Sequence, residues 1–258
     1  MRLFLFYAGR RRRLGHFRLK SHTYKTVEPS ASECIMGVAI LQAYPVPADK
    51  TASTVIDLLQ KRIVNLGAIP TGQFLVDCET YFSSPAISNP PKSLHVLHNS
   101  EQPATVFSVL ETPGKAVTFT SDTLFDLLLL KLSNVYSKKA KIESKGPRFE
   151  IGDFLVKLGV VSTNGNFRGI LVEVEYLPCV VVQSCWGLLC EFMQGFLGSV
   201  VTNQVPAFLK KKAANEIYTP VDTVQQYLEH FNNFKKNPAQ QQQMVRQSPQ
   251  QQGVQQHM

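Results

Sequence analysis

No stretch of this 258-residue sequence holds the roughly 18 consecutive apolar residues that a membrane-spanning helix requires. Cysteine is sparse and odd in number. The five thiols, Cys34, Cys78, Cys179, Cys185 and Cys190, are spaced neither as paired CxxC zinc ligands nor as the frame of a small disulfide-stapled domain. No Asn-x-Ser/Thr acceptor occurs. Free thiols in a reducing compartment follow, so the chain reads as cytosolic or nuclear. Catalytic signatures are missing too: there is no GxxxxGK[ST], no GxGxxG after a strand, no HExxH, no GxSxG and no kinase set. With 44% hydrophobic and 18% charged residues, collagen-like, coiled-coil and wholly disordered classes are excluded, and a sizeable core is within reach.

The formal net charge is +8, and its location decides what it means. Residues 1–35 carry eight Lys/Arg, four of them consecutive at Arg10 to Arg13, against Glu28 and Glu33. Residues 235–258 carry Lys235, Lys236 and Arg246 and no acid. That leaves sixteen basic against seventeen acidic residues for 36–234, a balance with no compositional support for a phosphate-tracking surface. Sequence-specific nucleic-acid binding is therefore not expected.

Three segments emerge. Residues 1–35 form a basic extension with no period that could join a core. It reads as a transit segment, a nuclear-import patch, or a stretch upstream of a chain that begins at Met36. Residues 36–234 are patterned. The tail to residue 258 is glutamine-rich and expected to be disordered. Helices are predicted over 51–66, over about 16 residues after the cap Asp122, over 184–198, and from Thr219, where Thr219-Pro220-Val221-Asp222 makes a capping box. The second is so leucine-rich that burial on more than one side is expected. Strand-like runs fall at 36–44, 72–81, 94–98, 104–110, 116–120, 141–145, 148–161 and 168–176, the last two joined through Asn164-Gly165, a type I′ turn signal. Hairpin-rich order predicts an α+β fold, a mainly antiparallel β-barrel-like sheet with helices packed on it.

Four constellations could carry chemistry. Asp77 with Glu79, and Glu173 with Glu175, are each two apart on a strand and each share a face. With Lys141, Lys145 or Lys157 on phosphates, they would suit a divalent-metal-dependent triphosphatase, the alternative reading. The favoured reading turns Phe74, Val76 and Cys78, with Val172, Val174 and Tyr176, inward and leaves the carboxylates in solvent. His95 and His98 are three apart on a strand and so point to opposite faces, unsuited to sharing a metal. Cys78, Cys179, Cys185 and Cys190 sit among apolar neighbours and read as buried, inert thiols. The aromatics Trp186, Phe192, Phe196, Tyr227, Phe231 and Phe234 exceed what one helix face must bury; packing on the sheet is the favoured account of them, and the alternative is that they form the candidate interface of an interaction module. Catalytic residues, a cofactor and a metal site are not expected.

Whole segments also carry a resemblance: GQFLVDCETY (72–81), LHNSEQPATVF (97–107), KIESKGPRFEIGDFLVKLGVV (141–161), RGILVEVEYLPCVV (168–181), CWGLLCEFMQGFLG (185–198) and YTPVDTVQQYLEHFN (218–232). They resemble the animal form of the Mediator subunit 20 family, also called the TRF-proximal protein family, over about residues 36–234. The family's Met-Gly-Val start is matched by Met36-Gly37-Val38. The resemblance implies a non-enzymatic β-barrel-like subunit of the head module of Mediator, the nuclear coactivator of RNA polymerase II transcription. It implies pairing with Mediator subunit 18, tethering of that pair by subunit 8, and contact with the TATA-binding protein or its relatives. It assigns no interface residues.

Overall fold

In the computed structural model, residues 36–206, 209–211 and 216–236 are described. The basic extension, Cys34 and the tail after Lys236 lie outside them. Among the described residues the chain runs β1 (Val38–Tyr44), α1 (Ala52–Asn65), β2 (Ile69–Ser83), β3 (Ser93–Asn99), β4 (Val106–Thr112), β5 (Lys115–Ser121), α2 (Leu124–Lys131), β6 (Tyr136–Ile151), β7 (Phe154–Thr163), β8 (Asn166–Tyr176), α3 (Val182–Leu197) and α4 (Pro220–Lys236). The strands form one antiparallel eight-stranded sheet, ordered β1-β8-β7-β6-β2-β3-β4-β5, that curls into a half-barrel. The predicted α+β class holds.

Local chemistry explains most boundaries. Thr51 caps α1 by accepting from the Thr54 N–H, and Gly67, at φ 98°, takes the left-handed conformation that follows the helix. Asn164 and Gly165 both have positive φ, as a type I′ hairpin requires. The Asp222 carboxylate accepts from both the Thr219 N–H and hydroxyl, so the expected capping box opens α4.

Helix α2 departs from expectation. It spans 8 residues, and of them only Leu129 is buried. Residues 136–151 instead extend as β6 along the 15-residue β2, from Ser83↔Tyr136 to Ile69↔Glu150. Long-range pairing wins because Ser133, Asn134, Val135 and Tyr136 are weak helix formers, while β2 offers a full-length partner. The single run expected over 148–161 is likewise broken by Gly152-Asp153 into a β6–β7 hairpin.

Strand register gives the sheet two faces. Helix α4 covers the inner face, where Val224, Tyr227, Leu228, Phe231 and Phe234 pack on Leu41, Phe74, Val76, Cys78, Leu97, Phe107, Ile142 and Leu171. One helix fills the curl of the sheet. On the outer face α1 and α3 bury the β1-β8-β7 end, through Val55, Leu59, Ile63, Leu189 and Met193 on Ile40, Val156, Leu158 and Val172. The outer face at the other end carries α2, seated by Leu129 on Leu94, Val96 and Val106. The sheet is thus sandwiched at one end and thinly covered at the other.

Candidate functional site

The inner face holds a buried ionic cluster beneath α4. Register places Lys157 opposite Glu173 in the β7–β8 ladder. The Lys157 ammonium lies 2.9 Å from Glu173 Oε1 and 2.5 Å from Glu101 Oε2, with Lys157 only 2% and Glu173 1% exposed. Tyr227 of α4 donates its hydroxyl to Glu173 Oε2 at 2.5 Å. Burial works against the Lys157 charge, but the Glu173 and Glu101 carboxylates overcome it and raise the ammonium pKa. Burial, then the neighbouring Glu173 charge, holds the Tyr227 phenol well above its usual value. The arrangement is a fully partnered internal strut: every charge in it is answered by another part of the same chain.

Glu175, the next residue on this face, accepts from the Gly37 N–H at 2.8 Å. Burial first, and the Glu173 charge second, push its pKa up to about 7. Protonation is thus easier in the folded chain than in the unfolded one. This contribution to stability is complete below pH ~4.5 and is lost as pH rises through about 7. Glu175→Gln keeps an acceptor for Gly37. It is expected to raise stability at pH 8 by on the order of 3 kcal/mol and to flatten the pH dependence between 5 and 7, read from urea unfolding at several pH values.

Asp77 and Glu79 lie on the opposite, outer face. Val76 pairs with Ser144, Ser144 with Val161 and Val161 with Gly169, which puts Val76 on the same side as Glu173 and turns Asp77 the other way. Lys141 bridges Asp77 at 2.8 Å, Lys138 bridges Glu79 at 2.6 Å, and Lys145 approaches Glu143 at 3.5 Å, all on that outer face. The four carboxylates therefore do not converge, and of the three expected phosphate-binding lysines only Lys157 shares the inner face with Glu173 and Glu175. On β2, Phe74, Val76 and Cys78 turn inward as expected, but on β8 the solvated-carboxylate reading fails. Both faces of β8 are covered, so Glu173 and Glu175 are as buried as Val172 and Val174.

The two histidines point to opposite faces, as their spacing predicts. His95 is buried on the inner side, with Nδ1 3.1 Å from Thr80 Oγ1, and burial lowers its pKa. His98 on the outer side bridges Asp77 Oδ1 at 3.0 Å and Asp126 Oδ2 at 3.1 Å. The Asp77 bond, against burial, raises its pKa. Asp126 belongs to α2, so this imidazole ties the short helix to the sheet.

Among the thiols, Cys78, Cys185 and Cys190 are buried and Cys179 is partly exposed. Burial pushes Cys78 up to about 12, and burial with the adjacent Cys179 does the same for Cys185, leaving both protonated at neutral pH. Of the expected interface aromatics, Phe196, Tyr227, Phe231 and Phe234 are committed to internal packing, each 4% exposed or less. Phe192 is half-buried and stacks on Phe154 with ring centroids 4.0 Å apart. Trp186 is half-buried too. It lines a cleft of ≈ 230 Å³ between β1, α3 and α4, which Gln42, Met193 and Glu229 also border.

The sheet edges hold two features that residue patterning missed. At β1, side chains stand in for a missing neighbour strand. The Gln226 carboxamide accepts from the Leu41 N–H at 3.0 Å and donates to the Ala39 carbonyl at 2.8 Å, Tyr218 donates to Ala39 at 2.9 Å, and His230 Nε2 sits 3.3 Å from the Leu41 carbonyl. At β5, the other edge, no strand pairs beyond it among the described residues. Beside it Leu124, Leu127, Leu128 and Leu130 of α2 are 63%, 55%, 48% and 71% exposed. The signal for the second was in plain view. Too many leucines for one helix face meant exposure, where burial on several sides was the expectation.

Comparison with known proteins follows the folded region closely. Residues 36–232 match the family described as the TATA-binding related factor (TRF) of subunit 20 of Mediator complex. Mediator of RNA polymerase II transcription subunit 20 from Anopheles gambiae is 55% identical over 211 residues, 78% of this chain and 95% of that protein. The Homo sapiens protein of the same name is 40% identical over 207 residues, with the same 78% and 95% coverage. Among solved structures, the Schizosaccharomyces pombe Mediator head module is similar at a TM-score of 0.27 and 10% identity, covering 53% of this chain and 80% of that one. Sequence identity over the whole described fold carries the assignment: the chain belongs to the Mediator subunit 20 family.

Proposed function

We propose that this chain serves as a scaffold subunit of Mediator, acting in the nucleus by surface complementarity and without catalysis. The observation that carries the reading is the match of residues 36–232, the whole sheet and its helices up to the last turn of α4, to subunits of that name. The inner face supports it. Its groove is filled by the chain's own α4, and its charged groups, Lys157, Glu173 and Glu101, are spent on one another. In this reading the subunit belongs to the head module, pairs with subunit 18, is tethered through subunit 8, and presents a surface to the promoter machinery, including the TATA-binding protein or its relatives. It links regulators to RNA polymerase II by holding other subunits in place.

Co-expression of the full chain with and without subunit 18 from the same organism tests the pairing. Size-exclusion chromatography is expected to give a one-to-one complex that elutes ahead of either chain alone. A lone chain that elutes as a well-behaved monomer and is unmoved by subunit 18 overturns the pairing.

A further inference from the structure

We infer that the outer edge of β5, flanked by the exposed leucines of α2, receives an extended segment of another protein subunit as a ninth strand. This rests on the scaffold reading and names the surface it would use. The two edges of the sheet are treated differently. At β1 the buried residues Gln226 and Tyr218, with His230, take up the backbone groups that a further strand would use. At β5 nothing comparable is present among the described residues: the strand ends the sheet, and five of its seven residues are exposed. Edge strands are commonly blunted by charge, proline or a bulge. From Ala116 to Ser121 this one carries no charge and no proline, and its register with β4 is unbroken from Thr112↔Lys115 to Val106↔Ser121.

The side chains specify the occupant. Val117 and Phe119 emerge from β5 on the outer face, Phe119 edge-on to Phe125 of α2 at 5.6 Å, so a neighbouring strand would place every second side chain beside them. The four exposed leucines lie on α2, which Phe125 joins to Phe119 and His98 holds in place through Asp126. The fitting partner is an uncharged strand with alternating apolar residues that runs on over α2. From the exposures, leucines, Val117 and Phe119 together present roughly 500 Å² of apolar surface, within the ~300–600 Å² of the largest, often functional, patch on a monomer and below the ~800 Å² per side of a standard stable interface. A second copy meeting edge to edge gains main-chain hydrogen bonds but not the leucines of α2, whereas a segment that wraps from the edge onto the helix gains both. The chain's own tail, residues 237–258, has ten glutamines and no apolar alternation, and lacks this chemistry.

The test uses the full chain with p-benzoylphenylalanine in place of Phe119, or in place of Leu66 as a distant exposed control, purified within Mediator through a tag on a different subunit. Photolysis is expected to join position 119 to a single other subunit, with no such product from position 66. Hydrogen exchange at β5 amides is expected to be at least 100-fold slower in the complex than in the free chain. Val117→Lys with Leu127→Lys should lower incorporation at least tenfold. Crosslinks confined to a second copy or to the chain's own residues 1–35 would overturn the inference, as would unchanged β5 exchange or full incorporation of the variant. Absence of the wild-type chain from the purified complex would sink the scaffold reading itself, a result distinct from all of these.

Discussion

Replacing Lys157 with methionine is expected to destabilise the fold by about 3–5 kcal/mol, the range for stripping one partner from a buried ion pair. The reason is what remains. Glu173 would keep only the Tyr227 hydroxyl, in a site 1% exposed, while Glu101 sits partly in solvent and can turn toward water. The triple change Lys157→Met, Glu173→Leu, Tyr227→Phe removes the strut whole and leaves no orphaned buried charge. It is expected to recover most of the loss, to within about 1–2 kcal/mol of the parent, because a well-packed apolar cluster of similar volume replaces a buried ionic one at little net cost. Guanidinium unfolding followed by the fluorescence of the single tryptophan, Trp186, gives both numbers. If the triple variant were as unstable as Lys157→Met, the cluster would be packing that site by shape and not by charge compensation.

The pattern of apolar residues located nearly every strand and helix, because period and turn chemistry act locally. Thr51, Asn164-Gly165 and Thr219-Pro220 each do in the structure what their side chains predict. The strut was illegible for a different reason. The Asn164-Gly165 turn pairs Thr163 with Asn166, and that register carried down the hairpin would set Lys157 opposite Val172. A bulge at Arg168 moves the ladder by one, pairing Val161 with Gly169, and so brings Lys157 opposite Glu173 on the inner face. One extra residue decides whether the two charges meet, and no local property of Phe167-Arg168-Gly169 announces it. The two-sided burial of β8 was equally invisible. A strand alternating valine with glutamate reads as half-solvated until α4 is known to fill the groove. Leucine-rich α2 erred in the other direction, since a helix cut to 8 residues offers little more than two turns to bury.

Gln226 gives the sharpest test of how the chain guards its first strand. Its carboxamide, 1% exposed, acts as a peptide group of a missing neighbour: oxygen to the Leu41 N–H, nitrogen to the Ala39 carbonyl and to the Tyr218 hydroxyl, both at 2.8 Å. Leucine matches its volume and supplies none of those bonds. Gln226→Leu is expected to cost about 2–4 kcal/mol, since a buried N–H loses its partner along with the bonds themselves. Hydrogen exchange at Leu41 should accelerate more than at amides of the central strands β6 and β7. Gln226→Glu separates the two halves of the carboxamide: it keeps an acceptor for Leu41 but cannot donate to Ala39 or Tyr218, and it brings a charge into the core. A loss similar to that of leucine is expected at neutral pH, easing as pH falls and the carboxyl regains a proton with which to donate. A change below about 0.5 kcal/mol for Gln226→Leu would mean that α4 covers β1 by apolar packing alone. By contrast Val117→Lys, at an edge the chain leaves open, should barely move the stability of the isolated chain. That difference between the two edges separates a strand closed by the fold from one left to be completed by a partner.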